Sequence, residues 1–421
     1  MKSTQKKAAF VLILMLSAAF LFTIPVYAAT QENSEGLPLD KNGDMEITED
    51  ELVPEILSYL TEKYINGNDN AAYDQDLADA AYIYANWDGK PKTVTDTKGQ
   101  EITLYRPLRN IAVMNSETLE TMRSLGLDED MVSGVGKYTL ADEVFFPEYS
   151  DKENIGSVWS PDYEKIISLS PDAVFLYADF MEETADEIQE KIQSMNPSIK
   201  VFRFDMYYPS TYINETKLLG AVIDKEDEAE KLTGFYNEQM NAIDSAYENI
   251  PKDERTRVYF ESWDDYKSAA NGSGYNEKIN LAGGVSIFED ATPEYPIVNP
   301  EEILVKNPDV IVKLIGSGEL AFGGYEDNNT EKAQEVYEML TNRAGWQNLN
   351  AVKDEHVYIL SNDIFGGPEY VIGTLYLAKW MYPEELKDVD PTAVHQEYIS
   401  EFQHLDFDVN NNGVFVWSGN Q

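Results

Sequence analysis

Apolar residues change rhythm several times along this chain. From Ala8 to Ile24 they are nearly continuous, whereas over 49–65 and 72–86 they recur every three or four residues, as on one face of a helix. Lys92–Pro107 then alternates apolar and polar positions around Lys98 and Gly99, the period and turn residues of a β-hairpin. Beyond it, short apolar runs at 111–114, 131–135, 172–177 and 200–204 alternate with helical stretches near 116–125 and 182–195. A strand-free segment, 211–249, follows, with Leu232, Phe235, Tyr236, Met240, Ile243 and Tyr247 at helical spacing and Pro251 after its end. The alternation resumes with strands at 257–262, 310–315 and 356–360 and helices near 275–282, 331–340 and 369–381. Strands alternating with helices predict an α/β protein with mostly parallel sheets, arranged as lobe, helix, lobe.

One phrase occurs in both lobes. SPDYEKIISLSPDAVFL (160–176) and NPEEILVKNPDVIVKL (299–314) align Glu164 with Glu301, Ile166 with Ile303, Pro171 with Pro308 and Asp172 with Asp309. Each reads as a helix followed by a strand. Ser160 and Asn299 suit the N-cap, and Pro161 and Pro300 the first helical position. Ser170-Pro171 and Asn307-Pro308 end the helices. The duplication predicts two lobes of similar build.

The N-terminus adds a location. Lys2, Lys6 and Lys7 precede the apolar run, which closes on Val26-Tyr27-Ala28-Ala29, so residues 1–29 read as an export signal or an uncleaved N-terminal anchor. The chain of 421 residues has no cysteine and a formal charge of −44. Export without disulfides suits a chain long enough for real cores. The charge argues against nucleic-acid and anionic-lipid partners. Residues 30–90 form an acidic helical extension. Within it Asp40, Asn42, Asp44, Glu46 and Glu51 fall at the spacing of a calcium-binding EF-hand or dockerin-like loop, with Met45 where such a loop places glycine. Calcium and a plain acidic turn before a helix both remain open. The three histidines, His356, His395 and His404, are too few and too scattered for direct metal capture, and no nucleophile–histidine, P-loop or HExxH pattern points to an enzyme.

The hairpin TVTD-x-x-G-x-E-I-T-L, the lobe repeat, the LLG and EAEKL stretches of the helical segment, NLAGG (280–284), YPIVNPEEIL (295–304) and GWQNLNAVKDEHVYIL (345–360) occur in an order that resembles the helix-bridged substrate-binding proteins of ABC importers for iron–siderophores, haem and cobalamin. The resemblance covers about 92–421. It implies two α/β lobes, 91–210 and 251–421, joined by a long rigid helix within 211–250, with a ligand cleft between them. It implies a monomeric, non-enzymatic receptor in the periplasm or at the cell surface, serving a membrane permease and its ATPase, with no cofactor required. It also implies that Glu164 and Glu301 (or the adjacent Glu302) dock to arginines of the permease. The alternative is that both carboxylates merely favour a helix N-terminus.

Ligands in such folds bind at the carboxyl ends of the strands. Those positions hold Asn115, Ser116, Lys137, Tyr138, Val158, Trp159, Tyr177 and Asp205–Tyr208 in the first lobe. In the second they hold Trp263, Tyr275, Tyr295, Gly316, Ser317, Ile364 and Phe365. The candidate ligand set is Asn115, Tyr138, Trp159, Tyr177, Tyr207, Trp263, Tyr275, Tyr295 and Phe365, each weighed against service in a lobe core. Aromatic rings suit the apolar faces of a chelate. The cations near this ring are Lys137, Arg203 and Lys267, which favours a neutral or weakly charged hydroxamate-type iron complex or a corrinoid over an anionic catecholate. An envelope adhesion or scaffold module remains a third function class.

Overall fold

The structure is a computed structural model that describes residues 36–67 and 70–419; the proposed leader, 1–29, lies outside them. Two five-stranded sheets form the lobes. In the first, the strands run in the order Glu153–Asn154, Val132–Val135, Ile111–Val113, Ala173–Leu176, Lys200–Arg203, all parallel. In the second the order is Val285–Ser286, Arg257–Glu261, Val310–Ile315, Val357–Ser361, Val416–Ser418, parallel except for the last pair. The central strands are buried along their length, as parallel strands with both faces covered by helices must be.

The repeated phrase has a structural cause in its Pro-Asp. Ser170 and Asn307 both take left-handed backbone (φ 49° and 47°) and stop their helices. The next Asp then ties down the start of the neighbouring central strand. Asp172 Oδ2 accepts the amides of Arg109 and Asn110 at 2.8 and 2.9 Å, and Asp309 Oδ2 accepts that of Arg257 at 3.1 Å. The helix starts differ. Asn299 caps Pro300–Lys306 as expected, its Oδ1 accepting the Glu301 amide. In the first lobe, Ser160 and Pro161 instead pair with Gly156 and Ser157 in a small hairpin, and Asp162 caps Tyr163–Ser168. Glu164 and Glu301 still occupy the same, second position of their helices.

The connection between lobes is not one helix. Pro209–Val222 and Glu226–Tyr247 are separate helices, broken at Asp224, whose φ is 56°. They cross so closely that a Cβ on Gly220 would lie 2.7 Å from that of Ala229. The second, of 22 residues, spans about 33 Å.

The N-terminal extension is bolted to this break. Helices Glu49–Thr61 and Ala71–Asn86 bury Leu52, Ile56, Leu77 and Ile83 in the main core. Asp224 accepts Tyr82 Oη at 3.0 Å, Trp87 Nε1 at 2.9 Å and Lys92 Nζ at 2.5 Å. Asp224→Ala strands three donors and is expected to lower stability by about 2–4 kcal/mol, read as a fall in the urea midpoint. Glu226→Ala, which removes only an exposed partner of Lys92, should cost about 0.5 kcal/mol or less.

The 40–51 loop keeps its acidic oxygens for its own backbone. Asp40 accepts the amides of Gly43 and Met45, Asn42 that of Asp44, and Asp44 that of Glu46. Glu51 accepts Thr48 N and Oγ1 at the helix start. Met45 itself makes the left-handed turn (φ 63°). Among the described residues no three or more His, Cys, Asp or Glu are gathered to hold a metal ion.

Candidate ligand-binding cleft

Each sheet has a switch point where the strand order reverses direction. It lies between Ile111–Val113 and Ala173–Leu176 in one lobe and between Arg257–Glu261 and Val310–Ile315 in the other. The loops leaving these strand ends line the cleft. A helix linking two parallel strands runs back against them, so the starts of Tyr163–Ser168 and Pro300–Lys306 are on this same carboxyl-end side. That places exposed Glu164 and Glu301 there, one per lobe. A surface depression of about 570 Å³ lies beside Glu164, lined by Asn154, Gly156 and residues 160–163.

Aromatic rings run from one lobe to the other. Tyr177 packs edge-on against Phe180 at 5.0 Å, Phe180 lies 6.2 Å from Tyr207, and Tyr207 Oη is 3.4 Å from Tyr295 Oη of the second lobe. Tyr295 in turn meets Tyr275 edge-on at 6.3 Å. Asp205 accepts the amides of Ala178, Asp179 and Phe180 and so fixes the loop that presents this strip. Tyr138 is 53% and Trp159 64% exposed, and Trp263 is half-buried. Two residues before Tyr138, Gly136 lets the strand end pass the Met114 carbonyl, which a Cβ would meet at 2.2 Å.

Three of the sequence candidates are turned inward. Asn115 donates to Thr118 Oγ1 and to the Phe204 carbonyl, tying two strand ends together. Tyr275 and Phe365 stack at 5.9 Å in the second-lobe core, and Tyr275 Oη donates to Asn362 at 2.7 Å. They back the cleft wall. Two of the cations are also spent elsewhere. Buried Arg203 donates to the carbonyls of Tyr177 and Ala178 and pairs with Asp186 at 2.7 Å, and Lys267 pairs with Asp264. Lys137 remains exposed, its Nζ 4.8 Å from the centre of its neighbour Tyr138's ring. His395 is a packing residue, buried against Tyr325 Oη at 2.7 Å, and burial lowers it to about 3.

The chain's least expected polar group here is Lys278. Its Nζ donates to the Gly366 carbonyl at 3.1 Å and lies 4.7 Å from the Tyr207 ring across the lobe boundary and 5.4 Å from Tyr275. Burial brings it down to about 7 against the fields of Glu277 and Glu117. Its signal is present in the sequence: Lys278 shares the apolar helix face of Tyr275, Ile279 and Ala282. Glu117, in the first turn after the switch-point strand, accepts Tyr177 Oη at 2.9 Å and is raised by burial. Asp142 and Asp363 follow two other strand ends. Burial raises Asp142 to about 6, and burial with the Asp142 charge raises Asp363 to about 7. Asp363 is crowded by protein on one side yet exposed to solvent, as a group facing into a cleft would be.

Residues 111–364 match the family described as periplasmic binding protein. Among curated relatives, the chain is 26% identical over 302 residues to an uncharacterized ABC transporter substrate-binding lipoprotein of Bacillus subtilis, covering 71% of this chain and 88% of that protein. It is 21% identical over 351 residues to the molybdate-binding protein of Haemophilus influenzae (76% and 93% covered) and 24% identical over 285 residues to the petrobactin-binding protein of Bacillus subtilis (64% and 83%). A TroA-like periplasmic binding protein from Veillonella parvula shares the fold, with a TM-score of 0.68 and 23% identity over 78% of this chain and 99% of that one. With two switch points facing one cleft and more than half its length matched, the chain belongs to the periplasmic binding protein family and is a substrate-binding protein, not an enzyme.

Proposed function

We propose that this protein captures a metal chelate outside the cytoplasm, an iron–siderophore-type complex in the first instance, and delivers it to the permease of an ABC importer. The observation that carries the reading is the aromatic strip Tyr177–Phe180–Tyr207–Tyr295, which crosses between lobes at the carboxyl ends of both sheets. Rings so placed can cover the apolar faces of a chelate while their hydroxyls meet its polar edge. Tyr138, Trp159 and Trp263 extend this surface in the reading, and Asn115, Tyr275 and Phe365 support it from behind. A corrinoid is the second reading: cobalamin-binding proteins of Halobacterium salinarum are 25% identical over 235 residues. A bare oxyanion such as molybdate suits the cleft poorly, because Glu117, Asp142 and Asp363 face it. Calcium at Asp40, Asn42, Asp44, Glu46 and Glu51 would demand that Asp40, Asn42, Asp44 and Glu51 give up the loop amides they hold and that Glu46 leave Lys90. The basic and apolar start of the chain supports export, with the leader cleaved or kept as an anchor.

Titrating the leaderless protein with ferric hydroxamates, haem and cyanocobalamin while following tryptophan emission tests the reading. Saturable quenching at sub-micromolar concentration by a hydroxamate is expected; quenching by cyanocobalamin alone would move the assignment to the corrinoid. Silence with all three would remove both.

Docking through Glu164 and Glu301 is part of the proposal, since each is exposed at a matched helix position beside the cleft mouth. Charge reversal, Glu164→Arg with Glu301→Arg, should leave ligand affinity unchanged and lower cellular uptake by about tenfold or more. Unimpaired uptake by the double variant would show that neither carboxylate meets the permease.

A further inference from the structure

Four carboxylates follow the ends of four parallel strands and converge on the cleft. Glu117 follows Ile111–Val113, Asp142 follows Val132–Val135 with one short helix between, Glu326 follows Val310–Ile315, and Asp363 follows Val357–Ser361. Two come from each lobe, and all four touch solvent. Their placement is topological: the loops at this end of the sheets are those that meet a ligand.

None of these carboxylates is held in an ion pair, although Lys278 acts on Glu117 and Arg123 on Asp142 from further off. Among the described residues, none of the four has a basic side chain within 4.0 Å, unlike Asp179, Asp76, Glu148 and Glu261, each of which is paired. The neutral bonds they do make are few. Glu117 accepts Tyr177 Oη, Asp142 accepts the Phe145 amide at 3.2 Å, and Asp363 accepts the Tyr325 amide at 3.2 Å. The two nearby cations are occupied. Arg123 bonds the Phe145 carbonyl, Glu148 and Gln403, and Lys278 bonds the Gly366 carbonyl beneath the rings. The like charges act on one another: Asp142 pushes Asp363 up across the lobe boundary, and Glu326 does so from within the same lobe.

Carboxylates left unpaired beside aromatic faces form the environment that attracts a cation, since ring quadrupoles and negative charge act in the same sense. We infer that the cleft selects a ligand with net positive charge, a chelate bearing a protonated amine or a comparable cationic group, with Glu117 and Asp142 of one lobe and Asp363 of the other setting that preference. The inference rests on the chelate-receptor reading and sharpens it. It also revises the expectation of a neutral ligand, which follows from sparse lysine and arginine only while the acids go uncounted.

The test uses two matched series. One is a ferric trihydroxamate carrying a free protonated amine, its N-acetylated neutral form and its N-succinylated anionic form. The other is cyanocobalamin and an aminoalkyl derivative of it. Affinities are measured by calorimetry on the leaderless protein. The expected result is binding about tenfold or more tighter for the cationic member of the series that binds, weakening with added salt. In Asp363→Asn and Glu117→Gln, each checked for an unchanged melting profile or a higher one, that preference should shrink to within about threefold. Equal or tighter binding of the neutral or anionic members would overturn the charge inference and leave the receptor reading standing. A cationic preference that survives both substitutions would also overturn it, as regards these residues. No binding of either series would remove the chelate reading and this inference together.

Discussion

Glu261→Ala should unfold at markedly lower denaturant concentration, with a loss of about 3–5 kcal/mol, because it removes the buried anion between two buried cations and leaves them only the exposed carboxylate of Asp265. Glu261 ends the central strand Arg257–Glu261, and its side chain and that of Lys313 are wholly buried. Lys313 Nζ donates to Oε1 at 2.8 Å, Arg343 donates to both oxygens at 2.7 and 2.9 Å, and Tyr259 Oη adds a bond at 2.6 Å. Burial pushes the Glu261 carboxyl up, but Arg343 and Lys313 outweigh it and hold the group below the usual range. The network also reaches the cleft, since Lys313 donates to the carbonyls of Trp263 and Asp264. Loss of the pair should therefore shift tryptophan emission as well as the unfolding midpoint. Pairing the change with Lys313→Met, as Glu261→Leu with Lys313→Met, should recover part of the loss, because it removes the wholly buried Lys313 charge and leaves only Arg343, which keeps Asp265 as a partner. A double variant as unstable as Glu261→Ala would show that packing, not uncompensated charge, sets the cost.

Much of this architecture is legible in the sequence, and the failures have specific causes. Parallel central strands write themselves as unbroken apolar runs, so 111–113, 173–176, 310–315 and 357–361 are visible. The two-residue edge strands Glu153–Asn154 and Val285–Ser286 have no such run and escape notice. The N-cap rule succeeds at Asn299 and fails at Ser160, where a two-residue pairing with Gly156–Ser157 claims Ser160 and Pro161 first. The bridging segment does hold a long helix, Glu226–Tyr247, but the break before it at left-handed Asp224 escapes notice, because apolar residues keep helical spacing on both sides. In the cleft, the strand-end rule selects loops but says nothing of side-chain directions. Asn115 is drawn inward by the Phe204 carbonyl, and Phe365 by stacking on Tyr275. Lys278 lies one helical turn past Tyr275, and Glu117 one residue past Ser116, just beyond the positions the rule selects.

Stability against pH should have a minimum near pH 7–8, flanked by a rise on each side. The acid side comes from carboxylates that burial keeps protonated in the native state. Glu215 is raised to about 7, mainly by burial, and Glu120 and Glu369 are both held well above the usual carboxylate range for the same reason. Such groups bind more protons folded than unfolded between roughly pH 4.5 and their native values, so stability falls as pH rises through that window. Lys278 has the opposite sense. Lowered to about 7 by burial, it is deprotonated in the native state and protonated in the unfolded chain from about pH 7 upward, so stability rises with pH until, toward pH 10, the many tyrosines that burial keeps protonated in the native state reverse the sign. A tenfold difference in proton affinity between the folded and unfolded chain corresponds to about 1.4 kcal/mol, so a change of several degrees in melting temperature is the expected scale. Calorimetric melting from pH 5.5 to 10 at constant ionic strength would trace the curve. Lys278→Met fills the same ring-lined space without a charge. It should abolish the alkaline rise while leaving the acid arm in place. An alkaline rise that persists in Lys278→Met would assign it to some other group and remove Lys278 as the titrating residue at the lobe boundary.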